Sequence, residues 1–215
     1  MKKVAINILR SAKIYAPKKI EELDEKRIIP NMMLRRRLTR NAKIMLFLSD
    51  KCGFSGGKII YSSCFGELQA TAEITTAILS KAPLSPTSFQ NSVYNTAPSY
   101  FSLLNEDKDE IFTISSGAKS SLDGLKTAAL QALISKESVL CVATECLDIA
   151  NIDAVNSCCT YLESGAAVVL EIAEETSGAQ EIEGLGDEGV IASLEDLIKV
   201  VNMHNRGISK ILITL

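Results

Sequence analysis

The stretch DEIFTISSGAKSSLDGLKTAALQALISKESVLCVAT, residues 109–144, decides the fold class. Asp109 to Ser115 alternates apolar and polar side chains and includes β-branched Ile and Thr, the pattern of a strand with two unlike faces. Ser115 to Ser121 gathers small residues around one glycine, the composition of a turn that opens a helix. Apolar positions then continue at helical spacing through Leu133. Val139 to Thr144 is a short continuous apolar run of strand length.

The same alternation repeats outward on both sides. Val4 to Tyr15 reads as an opening strand stopped by Pro17, and the charged run from Lys18 to Arg27 as a surface connection. MMLRRRLTRNAKIMLFLSDKCG, residues 32–53, places Met33, Leu38, Ala42, Met45 and Leu48 near helical spacing and predicts one helix ending at Gly53. Lys58 to Ser63 is the next strand, and ELQATAEITTAILSKA the next helix, closed by Pro83. LSPTSFQNSVYNTAPSYFSLL, with Pro86 and Pro98, predicts short helices or turns. Ala166 to Ile172 is a strand, residues 173–192 an acidic, Gly-rich loop, and residues 193–215 a carboxy-terminal helix-strand extension. Strands alternating with helices predict a single layered α/β domain over residues 1–215, with helices packed on a mostly parallel sheet.

Charge and cysteine usage narrow the function classes. A formal net charge of -3 and a pI near 5.4 supply no global basic field for a nucleic-acid backbone. No run approaches the length of a membrane span, and Val4 to Leu9 is too short for a signal peptide, so a cytoplasmic location is expected. Six cysteines without a CxxC pair predict buried thiols in a reducing compartment, with no metal site and no cofactor.

Four motifs carry a family resemblance. LSPTSFQNSVYNTAPSYFSL, residues 84–103, resembles the ketosynthase segment that usually reads SPT, an aromatic, then SVHN. MMLRRRLTR at Met32 to Arg40 and FGEL at Phe65 to Leu68 lie upstream in the order that small ketosynthase-like proteins show. ESGAAVVLE at Glu163 to Glu171 is similar to the EGAAALVLE strand that ends the first half of a ketosynthase. The chain is thereby identified as similar to the amino-terminal domain of beta-ketoacyl synthases over roughly residues 1–172. The resemblance implies a thiolase-like half: a five-stranded mixed, mostly parallel sheet with helices on both faces.

The family's chemistry is where this sequence departs. Ketosynthases load an acyl chain on a cysteine at a helix start, in a motif close to TACSSS. Here the matching stretch is TISSGAKSSLDGL, and aligning Thr113 and Leu122 puts Ala118 at the nucleophile position. The two histidines of the family's second half have no counterpart, since His204 is the single histidine and lies outside the motifs. Lys119, Ser120 and Ser121 offer a residual Ser-Lys combination, against the plainer reading of a helix start rich in hydroxyls.

The resemblance therefore implies a non-catalytic partner, like a chain length factor, in fatty acid or polyketide biosynthesis, aryl polyene assembly included. Its partner would be a ketosynthase homologue or a second copy, paired along Ile111, Phe112, Thr113 and Ile114, where the family pairs its subunits. Arg35, Arg36, Arg37 and Arg40 form the basic cluster that would attract an acidic acyl carrier protein, or else a solvated face with salt links. Tyr94 and Asn95 stand where the family often has histidine and asparagine. The alternatives are a binding module for an acyl carrier protein or acyl chain, and a serine-dependent acyltransferase.

Overall fold

A bulge in the first strand sets the two faces of the sheet. A computed structural model describes residues 2–149, 159–184 and 186–215. In it β1 (Lys3–Ala16) runs antiparallel to β5 (Glu163–Ile172), with a register shift between Ile8 and Arg10. An inserted residue flips every later side chain to the opposite face. Val4, Ile6 and Ile8 accordingly join one core, whereas Ala12, Ile14 and Ala16 pack against the other.

The remaining elements follow in chain order. They are α1 (Glu25–Ile28), α2 (Met32–Arg37), α3 (Arg40–Lys51), β2 (Ile59–Ser62), α4 (Leu68–Leu79), α5 (Pro86–Gln90), α6 (Thr96–Asn105) and β3 (Ile111–Ile114). A 3-10 turn (Gly117–Lys119) leads into α7 (Ser120–Ser135), then β4 (Val139–Cys146), β5 and β6 (Gln180–Glu181). A second 3-10 turn (Ala192–Leu194) precedes α8 (Glu195–Asn205) and β7 (Lys210–Thr214).

The seven strands are ordered β3-β2-β4-β5-β1-β7-β6, which corrects the expected five. The mostly parallel sheet is corrected as well: β2 pairs parallel with β3 and β4, and β6 with β7, but β4–β5, β5–β1 and β1–β7 are antiparallel. The antiparallel part is the centre of the sheet, where β1 pairs along its two edges with β5 and β7 and β5 pairs in turn with β4. The carboxy-terminal extension thus lies within the same sheet, adding β7. Helices cover both faces, α3 and α6 on one side, α7 and α8 on the other.

Two local departures matter for the site. The helix expected from residue 32 to Gly53 is broken at Thr39, whose hydroxyl accepts from the Ala42 amide and starts α3 afresh. Gly165 in β5 lets α3 approach closely, since a Cβ there would lie 2.8 Å from Ile44 Cγ2 and 2.9 Å from Leu48 Cδ1. Among the described cysteines, Cys52, Cys141, Cys146 and Cys159 are buried and Cys64 is half-buried; Cys158 lies outside the described residues.

Candidate functional site

The carboxyl ends of the parallel strands β2, β3 and β4 converge, and ligand sites of open α/β sheets form at such ends. Three segments meet there: Ser63 to Gly66 after β2, Ser115 to Lys119 after β3, and the end of β4. Glu145, in the last turn of the β4 ladder, ties the first of these down. Its fully buried carboxylate accepts from Ser63 Oγ (2.9 Å), the Cys64 amide (2.5 Å), the Phe65 amide (3.3 Å) and Ser193 Oγ (2.9 Å). Burial pushes its pKa up, against the lowering pull of those same hydrogen bonds. Through Ser193 the carboxylate also holds the start of the carboxy-terminal extension, whose 3-10 turn packs against the turn at Gly117–Lys119.

The turn at Gly117–Lys119 leads directly into α7. Gly117 has φ +59°, a backbone state that glycine adopts without a Cβ clash, and Ala118 follows it in full exposure. The Ser120 hydroxyl donates to Gly117 O (2.7 Å) and accepts from the Ser116 amide (3.0 Å), so it serves the turn. Ser121 Oγ is buried without a hydrogen-bond partner, and Lys119 points from the exposed surface of the turn. The structure therefore places Lys119, Ser120 and Ser121 together in sequence but in three different environments. Cys64 lies nearby, its carbonyl accepting from Tyr94 Oη (3.0 Å) and Ser115 Oγ (3.5 Å). Burial and the Glu145 charge raise its thiol pKa, the opposite of what a nucleophilic thiolate needs.

Beside this turn the sheet ends. β3 is the terminal strand, bonded to β2 along one edge and to no described strand along the other. Ile111, Phe112, Thr113 and Ile114 are all half-buried; Ile111 packs toward one core, Phe112 and Ile114 toward the other. The chain between β2 and β3 leaves Ile78, Leu79, Leu84, Phe89, Val93, Tyr94 and Leu103 exposed. Tyr94 is held by its bond to Cys64 and by contact of its ring with Gly66, while Asn95 is exposed at the start of α6.

The arginine cluster divides at Thr39. Arg36 and Arg37 are exposed at the end of α2, and Arg35 donates to Ile29 O at 2.8 Å. Arg40, the first residue of α3, turns inward instead. It forms a two-pronged pair with Glu163 (Nε–Oε1 2.7 Å, Nη2–Oε2 2.6 Å), donates to Ile20 O and reaches Glu25 at 3.2 Å. Burial works against the Arg40 charge, and the Glu163 bonds more than offset it, leaving its pKa raised. Salt links to Glu21, Glu22 or Asp24 are the sequence expectation for this cluster; the partners formed by Arg40 are Glu25 and Glu163.

His204 sits in α8, where Nδ1 hydrogen-bonds Ser11 Oγ at 2.8 Å, far along the sheet from the Ala118 turn. Among the described residues no group of three or more His, Cys, Asp or Glu is placed to hold a metal, and no helix is long and apolar enough to cross a membrane. Sequence reasoning missed Glu145 and Glu67. A carboxylate directly after a continuous apolar strand is the signal that would have marked the first.

A family model described as the N-terminal domain of beta-ketoacyl synthase matches residues 11–184. Among solved structures, a ketosynthase in complex with its chain length factor from Xenorhabdus doucetiae contains a chain that superposes with TM-score 0.65 at 20% identity, covering 92% of each chain. A type II PKS acyl-carrier protein in complex with its ketosynthase gives TM-score 0.61 at 14% identity, over 80% of this chain and 63% of that one. The ishigamide ketosynthase/chain length factor gives 0.62 at 12%, over 79% and 63%. This chain thus spans less than two thirds of the last two, and at these identities the likeness is one of fold. Among curated protein sequences none matches significantly.

Proposed function

Because this chain belongs to the beta-ketoacyl synthase N-terminal domain family, we propose that it is a non-catalytic, chain-length-factor-like partner of an active ketosynthase. What supports the reading is Ala118: a strand, a turn and a helix stand where the family's nucleophile motif aligns, and alanine there carries no atom that could attack a thioester. A retained frame without its nucleophile suits a subunit whose work is shape and contact. Polyketide biosynthesis is the setting that the structural neighbours favour, aryl polyene assembly being a narrower form of it and fatty acid biosynthesis the alternative setting.

The partner surface proposed is the open edge of β3, residues Ile111 to Ile114, together with the apolar chain between β2 and β3. An unpaired edge offers a row of backbone donors and acceptors to another strand. The exposed apolar side chains between β2 and β3 are proposed to supply the area that makes such a contact stable. Arg36 and Arg37 are proposed to steer an acidic acyl carrier protein, with Arg35 at their margin, since they are exposed and form no ion pair among the described residues. Arg40 is assigned to the Glu163 pair and not to docking.

Treatment with an acyl thioester followed by intact-mass analysis tests the reading. The chain is expected to stay unlabelled, while the ketosynthase recovered with it from its own cells takes one acyl group on cysteine. An acyl adduct mapped to Ser120 or Ser121 would contradict it and restore the acyltransferase alternative.

A further inference from the structure

Glu67 stands at the first residue before α4, only 6% exposed, and forms no ion pair among the described residues. Its carboxyl accepts from Thr39 Oγ1 at 2.8 Å and, weakly, from Asn41 Nδ2 at 3.4 Å, both neutral donors. Arg40, half-buried next to Thr39 in the chain, is already engaged by Glu163 and Glu25. The other groups that feel its charge are Tyr61, Tyr100 and Cys146, whose own ionisation it disfavours. Across the shallow cleft that Glu67 lines are Arg36, Arg37 and Glu73, the last bonded to Ser88 Oγ. Burial pushes the Glu67 carboxyl up to about 7, against the lowering pull of its Thr39 and Asn41 bonds.

Two further observations give this carboxyl a mechanical role. Asn41 donates to Gly66 O at 2.8 Å, which fixes its amide orientation, and its Oδ1 is then a buried acceptor with no hydrogen bond. The same side chain that reaches the Glu67 carboxyl through its Nδ2 thus carries an unfilled acceptor, which a protonated carboxyl could serve as donor and an ionised one, with acceptors only, could not. And α4 is lightly attached, with Ala70 its one buried residue and α5 its main neighbour.

We infer that Glu67 is a proton-controlled latch on α4. Protonated, it closes the junction between the start of α3 and the start of α4. Ionised, it leaves an uncompensated charge in that junction, and α4 opens more readily, carrying the apolar surface that follows it. The inference goes beyond the partner reading and does not depend on it.

Hydrogen exchange of the whole chain tests this directly. Amide exchange in residues 68–79 is followed from pH 5.5 to 8.5 and divided by the intrinsic rate at each pH, which isolates the opening equilibrium. In the native protein, opening of α4 is expected to rise about tenfold between pH 6 and 8, the linkage expected of one buried carboxyl that ionises normally when released. In Glu67→Gln, a neutral mimic of the closed form, it should stay flat, while α3 and α7 are flat in both proteins. Equal pH dependence in the two proteins overturns the latch, as does a carboxyl carbon resonance of Glu67 that titrates at the ordinary glutamate value.

Discussion

Helices α3 and α4 are each twelve residues long, and the more apolar of them is the one left outside. RNAKIMLFLSDK carries four charged residues yet buries eight positions, from Asn41 to Ser49. LQATAEITTAIL carries one charge and buries only Ala70. The difference teaches that burial here follows location: α3 lies across the centre of the sheet on β4 and β5, while α4 hangs from the loop after β2. Its apolar side chains, Ile78 and Leu79 above all, are left for another surface, and exposed patches of this kind mark interaction sites.

The contrast can be broken most violently at the α3 end. Arg40→Ala leaves the Glu163 carboxylate buried, retaining only the Ile20 amide, and should cost about 3–5 kcal/mol, the range for breaking one side of a buried ion pair. Urea unfolding at pH 7 measures it, and a loss below 1 kcal/mol would show that Glu163 finds water. Leu48→Ala, in the close contact beside Gly165, should cost about 2–5 kcal/mol by the same assay through the cavity it leaves.

Glu67 sharpens the comparison, because it joins the two helices. Its folded pKa lies above the ordinary carboxyl value, so the stability it contributes is complete below about pH 4.5 and lost as pH rises through about 7. Glu67→Gln should therefore be more stable than the native chain by up to ~3 kcal/mol at pH 8 and equal to it at pH 4. Thermal unfolding across that range checks the sign; a variant less stable at pH 8 would reverse the account of this carboxyl. At the α4 end the expected effect is smallest. Ile78→Ser with Leu79→Ser should change the stability of the isolated chain by less than about 0.5 kcal/mol each, while weakening any assembly.

The same two helices show what was legible in the sequence. The strand, turn, helix and strand of residues 109–144 could be read directly, because each depends on local periodicity and on turn residues. The break at Thr39 was legible in principle, since a threonine followed by an apolar run is a helix-starting signal, but the long run of helix formers on either side hid it. The pairing directions of β1 and its switch of faces were not legible: the first depends on which strands β1 comes to lie beside, the second on the bulge after Ile8, and both are set by contacts more than 150 residues apart in sequence. Burial of Arg40, Glu67 and Glu145 is hidden for the same reason. Nothing in RRRLTR separates the inward arginine from the outward ones until Glu163 is brought beside it.

The open β3 edge and the exposed apolar side chains between β2 and β3 are proposed to bind a ketosynthase. Native mass spectrometry of the chain recovered from its own cells tests this most directly, with Thr113→Lys placing a charge on the edge strand. The native chain should appear in a stoichiometric complex with a ketosynthase, and the variant, folded to the same thermal midpoint within a few degrees, should appear alone. A native chain that is monomeric under the same conditions, or a complex that Thr113→Lys leaves intact, would contradict it.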